Sequence, residues 1–150
     1  LNMGANFTYI YSDVEKSDAQ KSETNFSKKR GLQGAAPWML NVDLKYDFKN
    51  AKNLKRTASL VYNTSAEKIY AVGFGGLDHV YEQPFHQLDF IFQSELSKKV
   101  DVKFGVYNIL NQTYKLKMGD ESTVNISTPN LLLEDYKKGI SYNLSFGIKF

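Results

Sequence analysis

The sequence predicts an all-β fold: an antiparallel meander of about six long amphipathic strands, forming an arc of a transmembrane β-barrel wall. Three observations predict it. Apolar and polar residues alternate strictly along several long runs, a period of two that belongs to strands and excludes a helix there. No stretch approaches the ~18 consecutive apolar residues of a spanning helix, so any membrane crossing falls to strands. The connections between runs alternate long and short, as in a meander that gathers long loops at one rim and tight turns at the other.

The first run, residues 2–13, sets Met3, Ala5, Phe7, Tyr9 and Tyr11 against Asn6, Thr8 and Ser12. The second, residues 37–48, sets Trp38, Leu40, Val42, Leu44, Tyr46 and Phe48 against Asn41, Asp43, Lys45 and Asp47. In the third, residues 54–65, Ala58, Leu60 and Tyr62 oppose Lys55, Thr57, Ser59 and Asn63. The fourth, residues 85–96, opposes Leu88, Phe90 and Phe92 to Gln87, Asp89, Gln93 and Glu95. The fifth carries Val100, Val102, Phe104 and Val106 opposite Asp101, Lys103, Gly105 and Tyr107, with a continuation past Asn111 over residues 113–117. The sixth, residues 138–150, aligns Ile140, Tyr142, Leu144, Phe146, Ile148 and Phe150 against Gly139, Ser141, Asn143, Ser145, Gly147 and Lys149. Residues 12–36, 66–84 and 111–137 read as long loops, and residues 49–53 and 97–99 as short turns.

Composition is consistent with this reading. The 150 residues are 42% apolar with a negative mean hydropathy, as expected of a wall whose lumen face is polar. Ten Tyr, ten Phe and one Trp suit aromatic girdles at the membrane interfaces. The absence of cysteine excludes disulfides and thiolate metal sites, and a net charge of +3 is too small to argue for nucleic acid. No export leader precedes the first strand-like run, and six strands fall short of the roughly eight that close the smallest barrels. Residues 1–150 are therefore expected to be the C-terminal part of a barrel, with earlier strands and any plug lying upstream.

Several segments carry a resemblance. Gly34-Ala35-Ala36-Pro37-Trp38 leads into Leu40-Asn41-Val42, followed by Lys68-Ile69-Tyr70-Ala71-Val72-Gly73, Tyr81-Glu82-Gln83-Pro84 and Leu88-Asp89. Then Val102 to Tyr114 contains the run Asn108-Ile109-Leu110-Asn111. In order and spacing, across nearly the whole chain, these resemble the C-terminal barrel of TonB-dependent outer-membrane receptors. That resemblance implies residence in the outer membrane of a Gram-negative bacterium, surrounded by lipid. It also implies import of a large scarce nutrient, such as an iron-siderophore complex, cobalamin or a glycan. Energy would come from TonB through an upstream portion, without a cofactor and without enzymatic chemistry. A passive outer-membrane porin or structural barrel, and a soluble β-barrel or sandwich binding domain, are the alternatives.

Candidate site residues follow from placement. Tyr70, Phe74, His79 and Tyr81 share one long loop and could stack on a ligand, while the plainer role for Tyr70 and Tyr81 is an interfacial girdle. His79 and His86, beside Asp78 and Asp89, lack a third ligand and make a poor metal constellation. Asp43, Asp47, Asp89, Glu95, Asp101, Lys45, Lys55, Lys103 and Lys149 fall on polar faces, where pairing and hydration along a lumen is the expected role. Gly73-Phe74-Gly75-Gly76 opens no helix and reads as a loop, as does the basic run Lys28-Lys29-Arg30. The alternating stripe Tyr142, Leu144, Phe146, Ile148 and Phe150 resembles the last-strand signal that barrel-assembly machinery recognises.

Overall fold

The computed structural model describes residues 1–15, 29–73, 77–119 and 131–149, and within them the chain is all-β with no helix. Its strands are β1 (Asn2–Tyr9), β2 (Val14–Glu15), β3 (Lys29–Arg30), β4 (Trp38–Lys49), β5 (Lys55–Ser65), β6 (Lys68–Ala71), β7 (Val80–Glu82), β8 (His86–Glu95), β9 (Val100–Tyr107), β10 (Thr113–Met118), β11 (Leu131–Lys137) and β12 (Ser141–Ile148).

The six long runs form one antiparallel sheet in the order β1-β4-β5-β8-β9-β12. Their alternation is in register across the whole width. Met3 faces Leu44, which faces Leu60, then Phe90, Val106 and Tyr142. The row beside it, Asn2, Lys45, Ser59, Ile91, Gly105 and Asn143, is polar or small except at Ile91. Because a slip of one residue would turn a strand's apolar set to the other side, this pattern fixes the register at every pair. The two short turns form as expected. Asn50 Oδ1 accepts from the N–H groups of Lys52 and Leu54, and Asn53 adopts a φ of 61°, a left-handed conformation that Asn tolerates well. Ser97 Oγ accepts from the Lys99 N–H at 3.2 Å in the other turn.

The long connections differ from the expected loops. Residues 66–84 and 111–137 contain β6, β7, β10 and β11, which pair into a second sheet of order β11-β10-β7-β6. Likewise β2 pairs with β3 within residues 12–36, so the first run ends at Tyr9 and resumes at Val14. The second sheet repeats the lateral order of the strands beneath it: β5 continues into β6, β8 from β7, β9 into β10 and β12 from β11. Each long connection is thus a hairpin rising from the wall. The continuation past Asn111 is real, as β10. The strand β11 has no clear period in the sequence because its Leu131-Leu132-Leu133 start hides the alternation behind a bulge opposite Leu116 and Lys117.

Residues unsuited to a ladder mark the junction between the two sheets. Pro84 has no N–H to donate. Asn108 and Asn111 both take positive φ, 57° and 45°, and Gly139 takes 84°. Asn111 donates its N–H to the Asn108 carbonyl at 2.9 Å, so the Asn-Ile-Leu-Asn run is a turn set into the strand path. Thr64 faces His86 below the junction and Lys68 faces Glu82 above it, four residues further along each strand. The spacing across the junction is thus the same on both arms.

Among the described residues the buried hydrophobics are Ala36, Ala66, Ile69 and Leu116, all at or above the junction. The six-stranded sheet has no such core. Its apolar face is open: Met3, Phe7 and Tyr9 on β1 and Tyr142, Leu144, Phe146 and Ile148 on β12 are all well over half exposed. Its polar face holds several of its charges in short-range contacts. Asp47 accepts from Thr57 Oγ1 at 2.7 Å and Asn2 Nδ2 at 3.2 Å, Glu95 accepts from the Lys55 N–H at 2.9 Å, and Lys149 lies between Glu95 and Asp101 at 3.7 and 3.9 Å.

Candidate functional site

At the long-connection rim, the first and second hairpins enclose a cavity of 490 Å³. It is assembled by hydrogen bonds between them. The Gly34 N–H donates to the Ile69 carbonyl at 2.8 Å, and Gln33 Nε2 donates to the Tyr70 carbonyl at 2.9 Å. Gly34 has a φ of 80°, which glycine adopts without steric penalty. Ser12 Oγ accepts from the Leu32 N–H at 3.0 Å, fastening the two sides of the first hairpin.

The lining brings together chemistry from three separate segments. Tyr9, Ile10 and Tyr11 come from the end of β1, Lys29, Arg30 and Leu32 from β3 and beyond, and Glu67, Ile69, Asp78, His79 and Tyr81 from the second hairpin. Lys29 Nζ donates to Asp13 Oδ2 at 2.8 Å and lies 3.7 Å from Glu15. The bond to Asp13 and its charge raise the ammonium's pKa above the ordinary lysine value. His79 Nδ1 accepts from the Gly73 N–H at 2.9 Å, which puts the proton of the neutral ring on Nε2. The His79 and Tyr81 rings lie 6.1 Å apart and tilted. Gly73 is required here, because a Cβ on it would run into the backbone of Leu77 and Asp78. Cations, carboxylates and aromatic faces around one cavity suit the binding of a polar ligand with an apolar or ring-bearing surface.

Of the residues expected to contact a ligand, His79 and Tyr81 line this cavity. Tyr70 does not: it sits at the register shift of β6 and is half exposed. Phe74 lies outside the described residues. His86 belongs to the wall, where its Nδ1 is 2.6 Å from the Tyr62 hydroxyl and the two rings stack. Among the described residues no cluster of three or more metal-ligating side chains forms. Tyr142, Leu144, Phe146 and Ile148 share one exposed face of β12, and Phe150 lies outside the described residues.

Sequence reasoning missed a second cluster, on the other side of the rim. Tyr114 faces Tyr136 with ring centres 5.0 Å apart. Phe85, beside Pro84 where regular pairing lapses, brings its ring to 6.4 Å from Tyr114. Lys138 Nζ lies over both the Phe85 and Tyr114 rings, at 4.8 and 5.0 Å from their centres, a cation–π geometry. Glu82 joins Lys68 at 3.1 Å on the same face. Burial, with the Glu82 carboxylate beside it, pushes the Tyr114 hydroxyl up to about 12. The signal was available in the alternation of Tyr114, Leu116 and Met118, but the partner strand β11 was hidden in the apparent loop. Comparison with protein-family models, with curated proteins and with solved structures finds no match to this chain.

Proposed function

We propose that this chain is an arc of the wall of an outer-membrane receptor of the TonB-dependent type, which imports a large scarce nutrient. One observation carries the reading: six strands in register present an apolar face that nothing among the described residues covers. The second sheet prolongs these strands and leaves that face open. In water a contiguous exposed apolar surface of this kind marks an interaction site or an aggregation liability, whereas in a bilayer it suits the exterior of a barrel, with the charges of the opposite face turned to the lumen. β1 and β12 are each paired on one side only, and ladder groups in lipid must be paired, so further strands complete the wall. The rim hairpins and their cavity supply the ligand-facing end.

The test is cell fractionation followed by uptake. The protein is expected in the outer-membrane fraction, resistant to carbonate extraction, and loss of its gene is expected to reduce uptake of one labelled nutrient among an iron-siderophore, cobalamin and a glycan only while TonB is functional. Recovery in the buffer-soluble fraction sinks the membrane reading. Membrane residence with uptake indifferent to TonB favours a passive barrel.

A further inference from the structure

We propose that Lys138, held over the Phe85 and Tyr114 rings, binds the phosphate of an anionic lipid headgroup. The inference rests on the reading of the six-stranded sheet as a membrane wall.

Three observations meet at this residue. The first is its position along the chain. Lys138 lies between β11 and β12, just above the column Tyr142, Leu144, Phe146 and Ile148, whose side chains are all well over half exposed. At ~3.3 Å per residue, that column spans roughly 20 Å, and Lys138 precedes it in the chain, across Gly139 with its φ of 84°. Apolar column then cation matches the order of acyl chain then headgroup in a lipid lying along the strand.

The second is the way the ammonium is held. Lys138 is exposed, yet its Nζ is fixed over two rings at 4.8 and 5.0 Å. Lys29 and Lys68 are engaged by carboxylates. Among the described residues, no carboxylate pairs with Lys138. A cation placed by ring faces keeps its charge available to an anion.

The third is the setting. Tyr114 and Tyr136 face each other across β10 and β11, with the Phe85 ring beside Tyr114. Tyrosines with an apolar ring and a polar tip, and lysines that extend toward the headgroups, are the residues that suit the edge of a hydrocarbon layer. An acidic protein docked on Lys138 would leave the apolar column beneath it uncovered; a lipid covers both.

The experiment measures lipid binding to the detergent-purified protein by native mass spectrometry, with phosphatidylglycerol and phosphatidylcholine as probes. Wild-type protein is expected to prefer phosphatidylglycerol by about fivefold, the effect of one lysine at an anionic surface. Lys138→Gln is expected to abolish the preference and Lys138→Arg to keep it. Lys137→Gln, which alters the adjacent residue paired with Thr113, is expected to leave it unchanged. Equal binding of both lipids by wild type, or a preference that survives Lys138→Gln, overturns the headgroup site while leaving the membrane wall standing. Wild-type protein that stays in buffer without detergent and takes up neither lipid overturns both readings.

Discussion

The Asp89 carboxylate accepts a hydrogen bond from the Asn108 backbone N–H at 2.8 Å. Both residues are buried. Asn108 in turn donates its side-chain Nδ2 to the Gly139 carbonyl at 2.7 Å, so one chain of bonds crosses β8, β9 and the segment before β12 where the two sheets meet. Asp89→Ala removes the acceptor and strands the Asn108 N–H, and is expected to cost about 1.5–3 kcal/mol, read as a lower urea midpoint in detergent. Asp89→Asn, which keeps a side-chain oxygen at that position, is expected to lose less.

Tyr114 makes a prediction about alkaline pH. Its hydroxyl lies in the second sheet, beyond the wall, and is raised from 10.0 to about 12 by burial first and Glu82 second. Between those values the unfolded chain has released the Tyr114 proton while the folded chain still holds it, so folding stability falls as pH rises from about 10 to about 12. The contribution is fully present below that window. In a tyrosine absorbance titration, the latest-titrating phenol is expected to disappear in Tyr114→Phe, and the stability loss in that window is expected to shrink with it.

The β12 stripe separates face from strand. Leu144→Arg puts a charge on the exposed apolar face and is expected to cost ~2–4 kcal/mol if the site lies at the bilayer midplane, seen as reduced insertion into vesicles. Ser145→Arg, one residue away on the polar face, is expected to insert as wild type. Equal damage from both would deny that the two faces have different surroundings.

His79→Ala removes the acceptor for the Gly73 N–H and one wall of the rim cavity. If the chain serves import as proposed, uptake is expected to show a several-fold higher half-saturation with unchanged amounts of protein in the membrane, because the segment at Gly73 loses the bond that positions it beside the cavity. Unchanged half-saturation would remove this cavity from the ligand path.

The wall was legible in the sequence because its physics is periodic. Alternation over long runs assigns a face to every residue, and the two short turns carry Asn50, Asn53 and Ser97 where turn chemistry needs them. The rim was less legible for the same reason. β6 and β7 have only four and three residues, too few to establish a period, and the shifts at Ile69/Ala71 and Leu116/Lys117 break the pattern within the long connections. The cavity joins Lys29 and Arg30 to Asp78, His79 and Tyr81 across nearly fifty residues, a proximity no local pattern encodes. The Lys138 cluster depends on Phe85 turning toward Tyr114 beside a proline, where alternation gives no guidance.

The matched spacing across the junction bears on how such a protein can diversify. Residues can be added to a rim hairpin in equal numbers on its two arms without disturbing any pairing in the wall, and additions of two per arm also preserve which side of the hairpin each existing residue occupies. The reach of the rim can therefore lengthen or shorten in steps, as a telescoping part does, while the six-stranded sheet beneath stays the same. An addition of one residue to a single arm lacks that freedom: it leaves one residue without an opposite number and must be taken up as a bulge, as at Ile69/Ala71 and Leu116/Lys117.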